Sequence, residues 1–276
     1  MMDFFQALSE YNFMRYALIG GLLASVACGI VGSFVVVKRI SYLAGGVAHS
    51  IIGGVGTAYF LGFSPMLGAI AAAVAFSVIL GWVSLRLREY EDTVISALWS
   101  MGMALGILFL SKTPGFNMDL MHFLFGSILV IGDGDLSLIL ALDLLVVVVI
   151  LLFYKQFVAV SFDEEFARLR GVNVERFYLL FLILVGLTVV LFIKIVGVIL
   201  VIALLTLPAA ISGHYVRSLN KMMVLAVLFG MVFTASGLFV SYVYDFPPGS
   251  TIVVLAGVTY LVSLTFCGLL RQTPIR

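Results

Sequence analysis

An all-α, polytopic membrane protein crossing the bilayer about nine times is what this sequence predicts, on three observations. Hydrophobic residues make up 63% of the 276 and charged residues only 11%, with a mean hydropathy of +1.24, whereas a soluble domain carries roughly 25% charge. The apolar residues fall into runs of the ~20 that a helix needs to cross a ~30 Å hydrocarbon layer. Lys and Arg alternate between the intervening loops, twelve on one side against three, Arg15, Lys112 and Lys194, on the other. The excess marks the first side as cytoplasmic. The N-terminus is then outside and the C-terminus inside the cell membrane, which demands an odd number of spans, nine rather than eight. Residues 1–276 read as a single transmembrane domain.

The nine runs are 14–37, 46–62, 66–85, 93–111, 136–154, 177–193, 196–213, 222–243 and 250–270. The first carries Gly21, Ser25, Gly29 and Ser33 at every fourth residue, a stripe that lets another helix backbone approach closely, and it ends at Lys38 and Arg39. The second is short and glycine-rich. On a helix, His49 shares a face with Gly45 or Gly46, Gly53 and Gly56, so its imidazole either meets another helix at very short range or faces a cavity. It is either a hydrogen-bonded packing residue or a ligand. Between the third and fourth runs lies the acidic stretch Glu89–Thr93, in which Asp92 or Thr93 caps the following helix.

An external turn from Thr113 to Asp119 leads into the aromatic-rich run 121–131, too short to span. Asp119 and His122 stand three apart, on one face of a helix, a spacing that permits metal ligation; a helix-start Asp with a surface His has the same spacing. Asp143 lies about two turns into the fifth run. A central carboxylate costs roughly 2.5–3.5 kcal/mol to insert, so it requires protein or water and a partner.

The one charged island, 162–176, follows. Asp163 and Glu164 precede Phe166, and Arg168 and Arg170 precede Gly171, the acid-first, base-last, glycine-stop order of a short helix. Phe166, Leu169 and Val172 recur at i, i+3 and i+6, giving one side that can lie against membrane or protein. The island is either a solvated loop between spans or a docking element for a cytoplasmic partner. The sixth and seventh runs are separated only by Lys194 and Ile195, so either can be a broken or re-entrant helix, and Pro208 kinks the seventh. The turn Asp245–Ser250 joins the last two.

Several classes are excluded. Cys28 and Cys267 both lie in apolar runs, which argues against a disulfide framework or thiolate metal site, and a net charge of +1 gives no footprint for nucleic acid. No lysine sits in a Gly-x-x-x-x-Gly-Lys-Ser/Thr phosphate loop, and no clustered nucleophile and base appears, so the chain reads as a non-enzyme.

Taken in order, these stretches resemble the permease family of ATP-driven importers for divalent metals such as zinc, manganese and iron. The resemblance runs through Lys38-Arg39-Ile40-Ser41 with His49, Glu91-Asp92 with Gly102-x-Ala104-Leu105-Gly106, Phe125–Leu129, the island Asp163-x-x-Phe166-Ala167-Arg168-x-x-Gly171, Val196-Gly197-Val198 with Leu207–Ala210, and Pro247-x-Gly249-x-Thr251-Ile252. It implies a homodimeric transport subunit with no permanently bound cofactor and a divalent metal ion as substrate. ATP would be hydrolysed on a cytoplasmic ATP-binding subunit, and an extracytoplasmic metal-binding protein would deliver the ion. The island, through Asp163, Phe166, Ala167, Arg168, Arg170 and Gly171, corresponds to the family's coupling helix. His49 corresponds to the family's histidine on the ion path. The acid that the family carries four residues earlier is Gly45 here, so His49 needs another partner or has a weaker role; Asp143 is the candidate partner, and Asp119 with His122 is a separate candidate pair for metal. Two other readings are a permease for a metal chelate such as a siderophore or corrinoid, and a proton-coupled transporter working through Asp143, Lys194 or His49.

Overall fold

A computed structural model describes residues 4–86, 91–113, 126 and 131–271. Among them regular structure is helical throughout. The helices are α1 (Phe4–Glu10), α2 (Asn12–Lys38), α3 (Ser41–Phe60), α4 (Pro65–Arg86), α5 (Glu91–Ser111), α6 (Asp133–Leu152), α7 (Tyr154–Phe162), α8 (Glu164–Leu169), α9 (Val174–Val196), α10 (Val198–Tyr215), α11 (Leu219–Tyr244) and α12 (Pro248–Arg271). Each of the nine apolar runs contains one long helix. Seven of these, among the described residues, are long and apolar enough to cross a membrane on their own: α2, α4, α5, α6, α9, α11 and α12. The count falls below the eight to nine expected: α3 is diluted by glycine, and α10 enters only over Leu200–Tyr215, as a shorter apolar helix.

Both exceptions are explained by enclosure. α3 packs along α4 on one side and α5 on the other, touching α10 as well, so it needs little apolar surface for lipid. A Cβ added at Gly56 would lie 2.4 Å from the carbonyl oxygen of Gly106 on α5. Alanine there would force the two backbones apart, at about 1–3 kcal/mol. α10 runs beside α2: Gly32 of α2 faces Leu205 and Ala209, and Leu204 and Pro208 border a small space with Ser25, Cys28 and Gly29. Val198 therefore starts near the level of Ser25, roughly 20 Å from Lys38 at 1.5 Å per residue. The chain turns back there at Gly197, whose φ of +83° suits glycine. Gly197 and Val198 are buried, as backbone outside a helix must be at that depth.

Of those seven, α2 and α9 are the most enclosed, with α5, α6 and α12 at the periphery. The small-residue stripe of α2 packs on α11 as its spacing implied: Gly29 lies against Val227, and the hydroxyls of Ser25 and Thr234 are 3.2 Å apart. Contacts gather the basic loops at one end of the bundle. Lys38 reaches Glu164, Arg86 lies 3.7 Å from Glu175, and Tyr154 donates to Asn220.

Candidate functional site

His49 sits midway along α3, half-buried, and its ring stacks on Trp99 of α5 with centroids 4.1 Å apart and 27° between planes. Nδ1 lies 3.0 Å from the carbonyl oxygen of Gly45, one turn earlier. When Nδ1 carries the proton and donates it there, Nε2 presents the lone pair a cation requires. Trp99 in turn donates its indole N–H to the sulfur of Met103 at 3.2 Å. The two possibilities for the glycine face divide: Gly53 and Gly56 meet the backbone of α5 at Gly102 and Gly106, whereas His49 is held against an aromatic ring. A side chain at Gly45 would point toward Ile202 of α10, whose Cδ1 would lie 3.0 Å from the added Cβ, and toward Trp99 at 3.7 Å.

Asp143 is elsewhere. It lies on α6, which packs on α2 and α9, and it is 6% exposed with Oδ1 accepting the backbone N–H of Ala27 at 2.9 Å. Its required partner is thus the α2 backbone, and nothing brings it to His49. Asp119 and His122 lie outside the described residues. Among the described residues no group of three or more His, Cys, Asp or Glu side chains is placed to hold a metal ion.

The island is built as a capped turn of helix. Asp163 accepts the N–H of Phe166 at 2.9 Å and starts α8, with Glu164 and Glu165 in its first turn and Arg168 in its last. Gly171, at φ +76°, ends the reversal, with Gly171 N–H on the Arg168 carbonyl and Val172 N–H on that of Ala167, both at 3.0 Å. Asn173 then caps α9 by accepting the N–H of Arg176 at 3.0 Å. Preceding all this is α7, which extends the fifth run beyond the expected span end.

The residues α8 buries differ from those its spacing suggested. Ala167 is fully buried against Val160 and Val174, with Val172 packed on them, whereas Phe166 is exposed and Leu169 is 88% exposed. The Phe166–Leu169 side faces away from this chain, with the Arg170 guanidinium 5.0 Å above the Phe166 ring. Arg168, Gly171, Val172, Asn173, Val174 and Glu175 line an open cleft of about 380 Å³ beside it. A short, rigidly capped helix offering apolar side chains beside arginines is suited to seating in a partner's cleft. Trp99 and the α7 extension were missed by sequence reasoning. The first is fifty positions from His49 with no periodic signal linking them, and the second is hidden because its apolar residues continue the run of α6.

The model of the ABC 3 transport family matches residues 10–267. An uncharacterised membrane protein of Synechocystis, slr2045, is 42% identical over 257 residues, covering 93% of this chain and 92% of that one. The manganese import system permease protein ScaB of Streptococcus gordonii is 33% identical over 261 residues, covering 95% and 94%. Among solved structures, PsaBC from Streptococcus pneumoniae in complex with Fab superposes with a TM-score of 0.86 at 31% identity, covering 94% of each chain.

Proposed function

The chain belongs to the ABC 3 transport family, and from that premise we propose that it is the permease of an ATP-driven importer of divalent metal ions, with Mn²⁺ as its cargo. The observation that carries this reading is α8: a capped helix at the basic end of the bundle, with Phe166 and Leu169 exposed beside Arg168 and Arg170. A plain interspan loop needs none of that. The sequence contains no phosphate-binding loop, in keeping with hydrolysis on a separate ATP-binding subunit. The ion is supported by likeness to ScaB, a manganese import system permease protein.

In this scheme the Lys38 end faces the cytoplasm, the N-terminus is outside, and two copies of the chain, each one permease domain, flank the ion path. ATP binding closes the two ATPases, α8 moves with them, and the bundle switches between outward- and inward-facing states. An extracytoplasmic metal-binding protein delivers the ion. His49 serves as one ligand of a partly hydrated passing site on that path. Its pairing with a single imidazole rather than a full ligand set suits a route that must release what it binds. Trp99 fixes the ring plane and Gly45 fixes Nδ1, leaving Nε2 for the ion.

The test is reconstitution. The chain, co-expressed with a candidate ATP-binding subunit and placed in liposomes, is expected to take up radioactive Mn²⁺ only when ATP and a metal-binding protein are supplied. Uptake driven by a proton gradient and indifferent to ATP would overturn the reading in favour of a secondary transporter.

A further inference from the structure

We propose that Lys38 is the positioning residue that carries movement of α8 into α2 during transport; this rests on the permease reading above. Lys38 is the last residue of α2, and its side chain is only 11% exposed. Its Nζ donates to the carbonyl oxygen of Val160 on α7 and to Glu164 Oε1 on α8, each at 2.9 Å, and stands 5.2 Å from the ring centroid of Tyr178 on α9. The Tyr178 hydroxyl in turn lies 2.9 Å from Ser84 Oγ on α4. An ammonium has three N–H donors and no acceptor, and here two go to oxygen while the ring face takes up the remaining charge. One cation therefore joins the end of α2 to α7, to the first residue of α8 and to α9.

A lysine in the last turn of a helix also complements the negative end of the helix dipole. That role is filled equally well by a side chain reaching into water. It does not call for a buried ammonium shared among three other elements. The packing around α8 gives the link its consequence. α8 packs on α7 and α9, which also touch α2, whereas α2 packs in addition on α6, α10 and α11. A displacement of α8 that reaches α2 through Lys38 therefore reaches α6, α10 and α11, on which α8 does not itself pack to any comparable extent. Glu164 remains about one-third exposed, so the tie sits at the boundary between the docking segment and the bundle.

The test measures Mn²⁺ uptake and ATP hydrolysis together in proteoliposomes holding the complex of the chain with its ATP-binding subunit. Lys38→Met keeps the length and apolar stem and removes the charge. It is expected to leave assembly and hydrolysis in place while the number of ions moved per ATP falls at least about fivefold, the lower end of typical site-to-site coupling. Lys38→Arg, which keeps a cation, retains more of that ratio. Glu164→Gln, which keeps the oxygen and removes the charge, lowers it in the same direction, and it decides the matter if Lys38→Met does not assemble. An unchanged ratio in the variants that assemble, whether their absolute rates fall or not, overturns the role of Lys38. A wild-type complex that hydrolyses ATP without moving Mn²⁺, or no complex at all, overturns the permease reading instead.

Discussion

At His49 two roles compete, and the geometry makes them separable. The stack on Trp99 and the bond to Gly45 O are packing interactions that any flat or amide side chain can partly reproduce, whereas ion ligation needs Nε2. His49→Phe retains the stacked ring, and His49→Gln retains polarity and approximate size. Both are expected to lower Mn²⁺ uptake by on the order of tenfold or more, the scale on which removing a group that supports a metal site acts, with assembly and basal ATP hydrolysis preserved. Full uptake by either variant would return His49 to packing. The histidine and its glycine face were legible in the sequence, because a titratable ring among residues without side chains stands out in an apolar run. Its neighbours were not. Trp99 is placed by the register of two parallel helices separated by α4, and that register depends on the glycine contacts of α3, which are tertiary.

Among the elements, the island was read as a short helix whose apolar side can lie against membrane or protein; α8 is that helix, with Phe166 and Leu169 exposed and Val172 packed on the chain itself. A spacing of three residues picks out a stripe, but whether the stripe looks inward depends on how α7 and α9 bracket the helix, and here it is Ala167 that packs between Val160 and Val174. The consequence is testable. Reversing charge at both Arg168 and Arg170 is expected to weaken association with the ATP-binding subunit about tenfold, equivalent to about 1.4 kcal/mol lost from two rim charges, while membrane insertion is unaffected. Pull-down from detergent extract measures it, and unchanged co-purification with normal transport would remove α8 from the docking surface. Gly171→Ala acts differently. Nothing lies within 4 Å of the added Cβ, so its cost is the left-handed backbone alone, roughly 1–2 kcal/mol. It is expected to loosen the α8–α9 turn and weaken docking without changing any charge.

For the whole molecule, the distribution of basic residues carries a topology that cysteine labelling checks. In a background with Cys28 and Cys267 replaced by serine, a cysteine at the exposed Ser250 is expected to react with an impermeant thiol reagent from outside, and one at the exposed Ser218 only after permeabilisation. The reverse pattern would invert the orientation and carry the docking assignment with it. The number and approximate ends of the long helices were legible because charged residues, proline and glycine interrupt an otherwise apolar chain, and those interruptions coincide with the helix termini. What composition concealed was enclosure: the runs 46–62 and 196–213 stand out in the sequence, but the neighbours that surround α3 and α10 are tertiary and a linear reading does not see them. The buried reversal at Gly197 has a consequence for how the protein is made. Only Gly197 separates α9 from α10, so no hydrophilic loop stands between the two helices. Two helices joined without a loop bury that joint only as a pair, so α9 and α10 are expected to enter the membrane as one hairpin, and a chain truncated before Val198 is expected to leave α9 poorly inserted in a protease-protection assay.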